Sequence, residues 1–563
     1  MTGSLPPGSV LILGALLVPL LRAGWRQAFM LLLPLISMAH LLSFPAGYEL
    51  SLAIFGYELT PIRIDRLSLV WGYIFHIAAF LSVLYALHVR DRVQDVAGLM
   101  YAGSAIAAAF AGDLITLFVF WELTAITSVF LIWATRTERA MRVGTRYLLI
   151  QVGSGVILLS GVLLHVAQTG DLSFGALGLV SPGTALIFLS FGIKCAFPFF
   201  HNWLQDAYPE ATVTGTVFLS AFTTKLAVYA LARGFAGTEI LIPIGAVMTI
   251  FPIFYAVIEN DLRRVLAYSL NNQLGYMVVG IGIGTELALN GTAAHAFAHI
   301  LYKGLLFMAV GAVLYRTGTA KASELGGLYK SMPITTALCI VGSLSISGFP
   351  LFSGFVSKAM VLTAAADGHM IVLSLVLLFA SAGVVDHSGI KIPFFAFFAH
   401  DNGWKVKEAP AHMLLAMGLA AAMCIGIGLH PEPLYNILPY PVDYHPYTTG
   451  HVLYSLQLLL FAALAFAWLF RSGRYPEEVP ATNLDSDWLY RRLAPSVVGM
   501  VSYLTHRTTQ GARAGIQRVA SRVVGDVGEL HRPNSLLGEP WPIGATALWS
   551  AIVLMAVLVL SYL

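Results

Sequence analysis

Charged residues are scarce in this chain of 563 residues. Only 11% are Asp, Glu, Lys or Arg, whereas 58% are hydrophobic, so the chain lacks the polar surface that a soluble protein of this length needs. The formal net charge is only +3, and no basic domain stands out, which excludes nucleic acid as an expected partner. We therefore expect the chain to be surrounded by the lipid bilayer.

Cysteine is also rare. Cys195, Cys339 and Cys424 lie singly in apolar stretches and form neither a disulfide framework nor a metal-ligand pattern. His295 and His299 lack the intervening glutamate of a His-Glu-x-x-His zinc motif and have no recognisable third ligand. The sequence also has no phosphate-binding glycine loop, iron–sulfur cysteine cluster or haem ligand pair. We expect no metal and no cofactor here, so any energy source other than an ion gradient is expected in a partner protein.

Long apolar runs fill most of the chain. A bilayer core of about 30 Å needs about 20 mostly apolar residues per helix, and about sixteen segments fit that template. They begin near residues 9, 27, 67, 95, 113, 145, 183, 213, 238, 264, 291, 333, 354, 369, 410, 450 and 543. The segment at 354 is short enough to be half of a broken helix. The apolar run from Val10 to Leu21 has arginines after it rather than before it, the reverse of a cleavable signal, and is interpreted as the first span.

Basic residues alternate between the predicted loops. Short loops rich in Lys and Arg stay in the cytoplasm, and with an external N-terminus the clearest basic loops share one side. These loops contain Arg22 and Arg26; Arg90 and Arg92; Arg136, Arg139 and Arg142; Arg263 and Arg264; Arg316, Lys321 and Lys330; Lys391, Lys405 and Lys407; and the arginines after Phe470. The loops at 168–182, 286–290 and 430–450 carry no Lys or Arg. Arg63 and Arg66 are the main exceptions to a consistent topology.

Five regions follow from these spans. They are N-terminal transmembrane helices (1–94), a core (95–390), C-terminal transmembrane helices (391–470), an amphipathic segment (471–542) and a final anchor (543–563). In the fourth region apolar residues recur at steps of three and four, with arginines off that stripe. The stripe consists of Ile516, Val519, Val523, Val527 and Leu530. It predicts a helix lying along the membrane surface, and the alternative is a solvated linker with incidental periodicity.

Ionisable residues inside the apolar spans carry the most information. A charge there costs roughly 2.5–3.5 kcal/mol on insertion scales and is kept mainly where it faces a protein interior or water. The residues are Glu122, Lys194, Lys225, His295, His299, Lys303 and Lys358. A buried lysine beside a glutamate can exchange protons, because burial destabilises the charged lysine and the carboxylate stabilises it. Such groups, joined by water, predict a proton relay; structural ion pairs or lysines reaching the membrane surface are the alternative.

Prolines mark two of these helices in a similar way. Pro198 follows Lys194, and Pro350 precedes Lys358 with Gly348 nearby. Proline removes a helical hydrogen bond, and broken helices at matching places in two halves indicate inverted repeats around an ion site. A simple packing kink is the alternative for each proline.

At these residues the sequence resembles a known family. The residues that carry the resemblance are Glu259-Asn-Asp-Leu-Arg-Arg-Val-Leu-Ala-Tyr-Ser-Leu-Asn-Asn-Gln-Leu-Gly-Tyr-Met277, Trp121-Glu122, His201-Asn-Trp-Leu, Tyr208-Pro-Glu-Ala and the stretch 295–303. From about residue 60 to about residue 365 the chain resembles the antiporter-like, proton-conducting family. Mrp-type Na⁺/H⁺ antiporters, respiratory complex I and membrane-bound hydrogenases share this family. The core is most similar to the Mrp D subunit.

The resemblance implies an all-α polytopic fold with two inverted five-helix repeats, each containing a broken helix, around a hydrated polar axis. It implies that Glu122 is the family's glutamate, Lys194 its paired lysine and Lys225 the bridging position. It assigns His295, His299 and Lys303 to the central connection and Lys358 to the broken helix of the second repeat. The surface helix and final span resemble the lateral helix of longer members, which braces neighbouring subunits.

Some residues depart from the family pattern. Gln205 stands where the family usually has proline, and Tyr208 where it often has histidine. Asp386, His387 and Lys391 match no pattern that we can assign. The resemblance weakens after residue 365, so the proton exit path is left open.

The resemblance implies a proton-translocating subunit of a multisubunit Mrp-type Na⁺/proton antiporter, with other subunits, protons and Na⁺ as partners, in a bacterial cytoplasmic (inner) membrane. If redox partners drive it, such a transporter subunit is a translocase that has no redox centre of its own. The alternatives are such a redox-driven pump, of the hydrogenase or complex I type, and a proton-driven inorganic carbon uptake complex. A membrane scaffold with a degenerate channel is the non-transport alternative. The cation and the stoichiometry stay open.

Overall fold

The computed structural model describes residues 5–54, 56–481, 483–533, 535, 537–538 and 542–562. The predicted region limits at residues 1 and 563 lie outside these residues. The chain divides into two compact units, Met1–Asp485 and Ser486–Leu563. The first unit holds all of the ionisable residues that were selected from the sequence.

The first unit begins with three helices and a β-hairpin. These elements are α1 (Ser9–Leu17), α2 (Ala23–Leu42), the strands β1 (Glu49–Ile54) and β2 (Tyr57–Arg63), and α3 (Arg66–Tyr85). The strands pair antiparallel and add a hairpin to the predicted all-helical fold. Polar and apolar residues alternate in the strands over too short a stretch to be distinctive in the sequence.

The hairpin region explains the two exceptional arginines. The Arg63 guanidinium donates a hydrogen bond to the backbone carbonyl of Phe174, and that of Arg66 donates to the carbonyl of Asn436 at 2.8 Å. Asp65, between them, accepts a hydrogen bond from Arg233 at 2.8 Å. These basic groups are therefore held by protein partners.

Two successive sets of five segments make up the core. The first set is α4 (Arg92–Ala109), α5 (Leu114–Trp133), α6 (Glu138–Thr169), α7 with α8 (Pro182–Lys194, Asn202–Glu210) and α9 with α10 (Gly215–Ala221, Thr223–Gly234). The second is α11 (Leu241–Ile258), α12 (Leu262–Ile283), α13 (Glu286–Thr317), α14 with α15 (Pro333–Ser347, Ser353–Asp367) and α16 (Ile371–Val384), which continues through π-helical turns and α17 (Lys391–Pro393) to Phe398. In both sets the fourth segment is broken. Because five is odd, a chain that crosses the membrane at each segment starts the second set from the opposite side, as the predicted inverted repeats require.

The remaining helices follow the core. In the first unit they are α18 (Ala411–Leu429), α19 (Glu432–Tyr435) and α20 (Thr449–Arg471). The second unit contains α21 (Ala494–Leu530) and α22 (Ile543–Tyr562). The 37 residues of α21 include the whole predicted apolar stripe, so the stripe is helical. Other parts of the predicted segment 471–542, namely residues 482, 534, 536 and 539–541, lie outside the described residues.

Within the described residues, eleven helices are long and apolar enough to cross a membrane. Three shorter apolar helices, Ser9–Leu20, Pro182–Lys194 and Pro333–Ser347, add to them. The chain is therefore a multi-pass membrane protein. Every predicted span coincides with a helix, but the count of about sixteen stays a prediction, because several of these helices are short or carry polar residues.

A row of buried ionisable residues

The two helix breaks have the same backbone. In each break, the residue two positions before the proline and the residue directly after it both have positive φ. These are Ala196 (62°) and Phe199 (68°) around Pro198, and Gly348 (75°) and Leu351 (78°) around Pro350. The left-handed region is sparsely populated by residues other than glycine, so such backbone strain is kept where the surrounding structure imposes it. Both predicted breaks are present, and each leaves carbonyl groups at a helix end without helical partners.

The lysine before the first break is held against α5. Lys194, at the end of α7, has no exposed surface, and its ammonium group donates to the carbonyl of Trp121 at 2.6 Å and to the hydroxyl of Thr124 at 3.2 Å. It lies 4.4 Å from the centre of the Trp121 ring. The opposite charge of Glu122, the next residue on α5, interacts with it. A buried ammonium needs such partners, since an isolated one is very costly.

A glycine of α6 makes room for Glu122. A Cβ atom at Gly155 would lie 1.4 Å from Oε1 of Glu122, so no larger residue fits without displacing the carboxylate. Oε1 is buried and has no hydrogen-bond partner among the residues that the structure describes. Gly155 was not among the residues selected from the sequence. The only signal is the small-residue run Gly153-Ser154-Gly155 in a long apolar helix.

Lys225 lies where α9 and α10 meet. The helix is interrupted at Phe222, which has φ −103° and ψ −67°. The interruption leaves the Ser220 carbonyl to accept a hydrogen bond of 2.6 Å from the Lys225 ammonium. Lys225 is fully buried, and its charge acts on His295, His299 and Lys303. Lys225, in the first repeat, therefore lies near α13 of the second repeat.

The two histidines of α13 lie side by side in the core. Their ring centres are 6.1 Å apart, and both residues are fully buried. Nδ1 of His295 lies 3.4 Å from the Ser357 hydroxyl, on the helix that carries Lys358. Neither ring nitrogen of His299 has a hydrogen-bond partner in the described part of the chain. A buried imidazole of this kind is available to bridging water.

The second break holds Lys358. Its ammonium group donates to the carbonyl of Ile346 at 3.1 Å, one residue before the end of α14. It also lies 5.3 Å from the centre of the Tyr276 ring. Lys194 and Lys358 thus each lie beside a helix break, close to a carbonyl group and an aromatic face.

A chain of hydroxyl groups extends the row from Lys303 to a residue that matched no family pattern. The Lys303 ammonium donates to Ser269 at 2.7 Å, and the Ser388 hydroxyl donates to the same Ser269 oxygen at 2.7 Å. Nδ1 of His387 lies 2.8 Å from the Ser388 hydroxyl. All four residues are fully buried. His387 and Ser388 lie in the π-helical turn Val385–Ile390, and such turns are frequent at functional sites.

Lys391, the third residue that matched no family pattern, points away from this row. Its ammonium group donates to the carbonyls of Val257 at 2.5 Å and Glu259 at 2.9 Å, and it lies 3.9 Å from the carboxylate of Glu478. Burial raises the pKa of Glu478, although the charge of Lys391 opposes this shift. Lys391 thus connects α17 to the segment that follows α20.

The described residues contain no group of three or more His, Cys, Asp or Glu side chains that could hold a metal ion. The three cysteines are buried and unpaired. The contacts described above involve protonatable side chains, hydroxyl groups and backbone carbonyls.

Fold and site together define a polytopic membrane protein with a line of ionisable residues through two repeats. The family model described as "NADH:quinone oxidoreductase/Mrp antiporter, TM" matches residues 111–383. The chain is 30% identical over 356 residues to the D subunit of the Na⁺/H⁺ antiporter of Alkalihalophilus pseudofirmus, an alignment that covers 58% of this chain and 71% of that relative. The chain belongs to this NADH:quinone oxidoreductase/Mrp antiporter family, which confirms the resemblance seen in the sequence.

Two further similarities extend the comparison. The A subunit of the Na⁺/H⁺ antiporter of the same organism is 30% identical over 434 residues, which cover 68% of this chain and 53% of that relative. A chain in the Mrp complex from Dietzia sp. DQ12-45-1b superimposes with a TM-score of 0.76 at 25% identity, covering 98% of this chain and 65% of that chain. The matched part of this chain therefore spans about half the length of the A-type relative.

Proposed function

We propose that this chain is the proton-translocating subunit of a multisubunit Mrp-type antiporter that exchanges protons for a monovalent cation such as Na⁺. The observation that carries the proposal is the row of ionisable residues within the spans, from the half-buried Glu122 to the fully buried His387. Such residues are costly within a membrane and are a default sign of an ion or proton pathway. Similarity to two Na⁺/H⁺ antiporter subunits supports the antiporter as the use of that pathway.

In the proposed relay, Glu122 governs the proton on Lys194. The negative charge of Glu122 stabilises protonated Lys194. Moving or neutralising that carboxylate therefore favours release of the proton toward Lys225. Lys225 passes it to His299 and His295 of α13, where repulsion between neighbouring positive charges favours onward transfer. Lys303 and Lys358 receive it in the second repeat, where Lys358 lies beside the second helix break. Pro198 and Pro350 mark the breaks beside Lys194 and Lys358, and the Ile346 carbonyl before the second break stabilises the charged Lys358.

The membrane potential can drive this movement. One elementary charge moving through 100 mV gains about 2.3 kcal/mol, so a net inward movement of positive charge can support export of a cation. The partners in this proposal are protons, Na⁺ and the other subunits of the complex, in a bacterial cytoplasmic membrane. No cofactor is needed in this chain, because proton transfer requires only side chains and water.

A second candidate uses the same pathway in a redox-driven pump. The family description includes NADH:quinone oxidoreductases, in which electron transfer would be supplied by a partner protein. A complex that energises inorganic carbon uptake is a further alternative. In each of these, the relay would operate without dependence on a transported cation.

The test is fluorescence-monitored cation/proton exchange in inverted vesicles that contain the whole complex. We expect Glu122→Ala and Lys225→Ala each to lower the Na⁺-dependent rate of proton movement at least tenfold, because each interrupts the row, while the complex still assembles. The matched controls are Glu138→Ala and Lys405→Ala, both at exposed positions.

The outcomes separate the candidates. If Glu122→Ala and Lys225→Ala both exchange protons at the parent rate, the proposed relay is contradicted. A parent complex whose proton movement is independent of Na⁺ and other monovalent cations would instead support a redox-driven or carbon-uptake assembly.

A further inference from the structure

A polar cavity of about 170 Å³ opens beside the first helix break. Its acidic side chains come from α8 and from the turn between α11 and α12, and its basic side chains belong to loops predicted on the cytoplasmic side. The charged residues that line it are Asp206, Glu210, Glu259, Asp261, Arg139, Arg264 and Lys321. Burial raises the pKa of Glu259, although Arg264 opposes this shift. The cavity is thus a place where protons can be held near the predicted cytoplasmic surface.

The segment after α20 closes one side of this cavity. Pro480 and Ala481 line it. The carbonyl of Asn483 accepts a hydrogen bond of 3.2 Å from Arg264, and the Asn483 amide donates to the carbonyl of Ile258 at 3.3 Å. The segment is therefore fastened to the ends of α11 and α12.

Asp485, at the end of this segment, enters the protein interior. Its carboxylate accepts a hydrogen bond of 2.8 Å from the Tyr268 hydroxyl and another from the Asn202 amide. It lies 3.1 Å from Nε2 of His201, and the side chains of this pair are each only 3% exposed. Polar groups from the break, α8 and α12 thus surround one carboxylate, which is a constructed site rather than a surface contact.

Unpartnered polar atoms continue inward from this pair. Nδ1 of His201, both amide atoms of Gln205 and of Gln151, and the hydroxyl of Thr224 are buried without hydrogen-bond partners among the described residues. Buried polar groups are normally satisfied by protein or by ordered water. Gln205 also lines the cavity, and Thr224 directly precedes Lys225, so water beside these groups would join the cavity to the row.

We propose that Asp485 and His201 form the proton-entry pair of this chain, between the cytoplasmic cavity and the row at Lys194 and Lys225. This inference rests on the proposed function. A proton that reaches the Asp485 carboxylate moves to Nε2 of His201, and Nδ1 releases a proton to the inner side. The imidazole is then in its other tautomer, and a ring rotation restores the first. Gln205 orients water on this path and carries no proton itself.

The first test uses the vesicle assay described above. Asp485→Asn keeps the size of the side chain but removes its proton affinity, and we expect it to lower the initial rate at least tenfold, as does His201→Gln. The double variant is expected to be no slower than the slower single variant, because both interrupt one path. Glu477→Gln, an exposed position in the same segment, should retain the parent rate.

A role of Asp485 as a mere anchor predicts a different pattern. In that case the Asp485→Asn variant would exchange protons at a rate within twofold of the parent rate. Asp485→Ala would mainly reduce the amount of assembled complex on a native gel. That result would overturn the proposal.

The second test does not depend on antiport. Gln205→Cys, in a chain whose three native cysteines are replaced by serine, is treated with a small cationic methanethiosulfonate reagent in vesicles of both orientations. We expect modification in inverted vesicles only, with Val180→Cys, exposed on the predicted external side, as the opposite control. Modification of Gln205→Cys from neither side or from the external side alone would overturn the entry site, even if the parent shows no cation dependence.

Discussion

Gly155→Ala is expected to stop proton movement nearly as completely as removal of Glu122 itself. The new methyl carbon would lie 1.4 Å from Oε1 of Glu122, a distance that no packing adjustment of a few tenths of an ångström accommodates. The carboxylate must move, and with it the charge that stabilises Lys194. We expect at least a tenfold lower rate, equivalent to about 1.4 kcal/mol or more in the barrier.

The matched control is Gly153→Ala on the same helix. A Cβ atom at Gly153 has nothing within 4 Å, so this variant shares any general effect of glycine replacement in α6 but not the collision. Both variants are compared in the vesicle assay at equal amounts of assembled complex. Equal rates for Gly155→Ala and Gly153→Ala would show that Glu122 does not need its present position.

His387→Gln is expected to produce a second large effect, at least a tenfold lower rate. His387 is the last protonatable group in the hydrogen-bonded chain that begins at Lys303 and passes through Ser269 and Ser388. Glutamine keeps polarity and approximate length but cannot carry a proton. Ser388→Ala should have a smaller effect, because water can replace one hydroxyl group in such a chain.

His430→Gln serves as the control for this variant, since His430 is exposed at the end of α18. The rates are measured in the same vesicles, together with the abundance of the complex. If His387→Gln and His430→Gln are equally active, the relay does not extend beyond Lys303. The relay would then continue from Lys303 to Lys358 only.

The membrane fold was largely predictable because its signals are local. A run of about 20 apolar residues fixes a helix wherever lipid surrounds it. Proline at 198 and at 350 removes a helical hydrogen bond whatever the tertiary context. The hairpin between α2 and α3 was not predicted, since its alternation covers only a few residues and depends on pairing between strands.

The ionisable site was predictable in part for a related reason. A charge within an apolar span is conspicuous, so each of the residues from Glu122 to Lys358 could be selected without knowledge of its neighbours. Gly155 could not be selected, because its importance comes from a carboxylate on another helix. His387 is visible in the sequence but has no assignable role there, since its neighbour Ser388 connects it to Ser269, which is 119 positions from Ser388.

By itself, the sequence determined that this protein spans a membrane, where its helices break and which charges lie within the spans. These properties follow from composition over stretches of about 20 residues or fewer. The tertiary structure alone decided that Lys303 reaches His387, that Gly155 accommodates Glu122 and that Asp485 meets His201. Those contacts join residues far apart in the chain, and packing, rather than local composition, sets the distances between them.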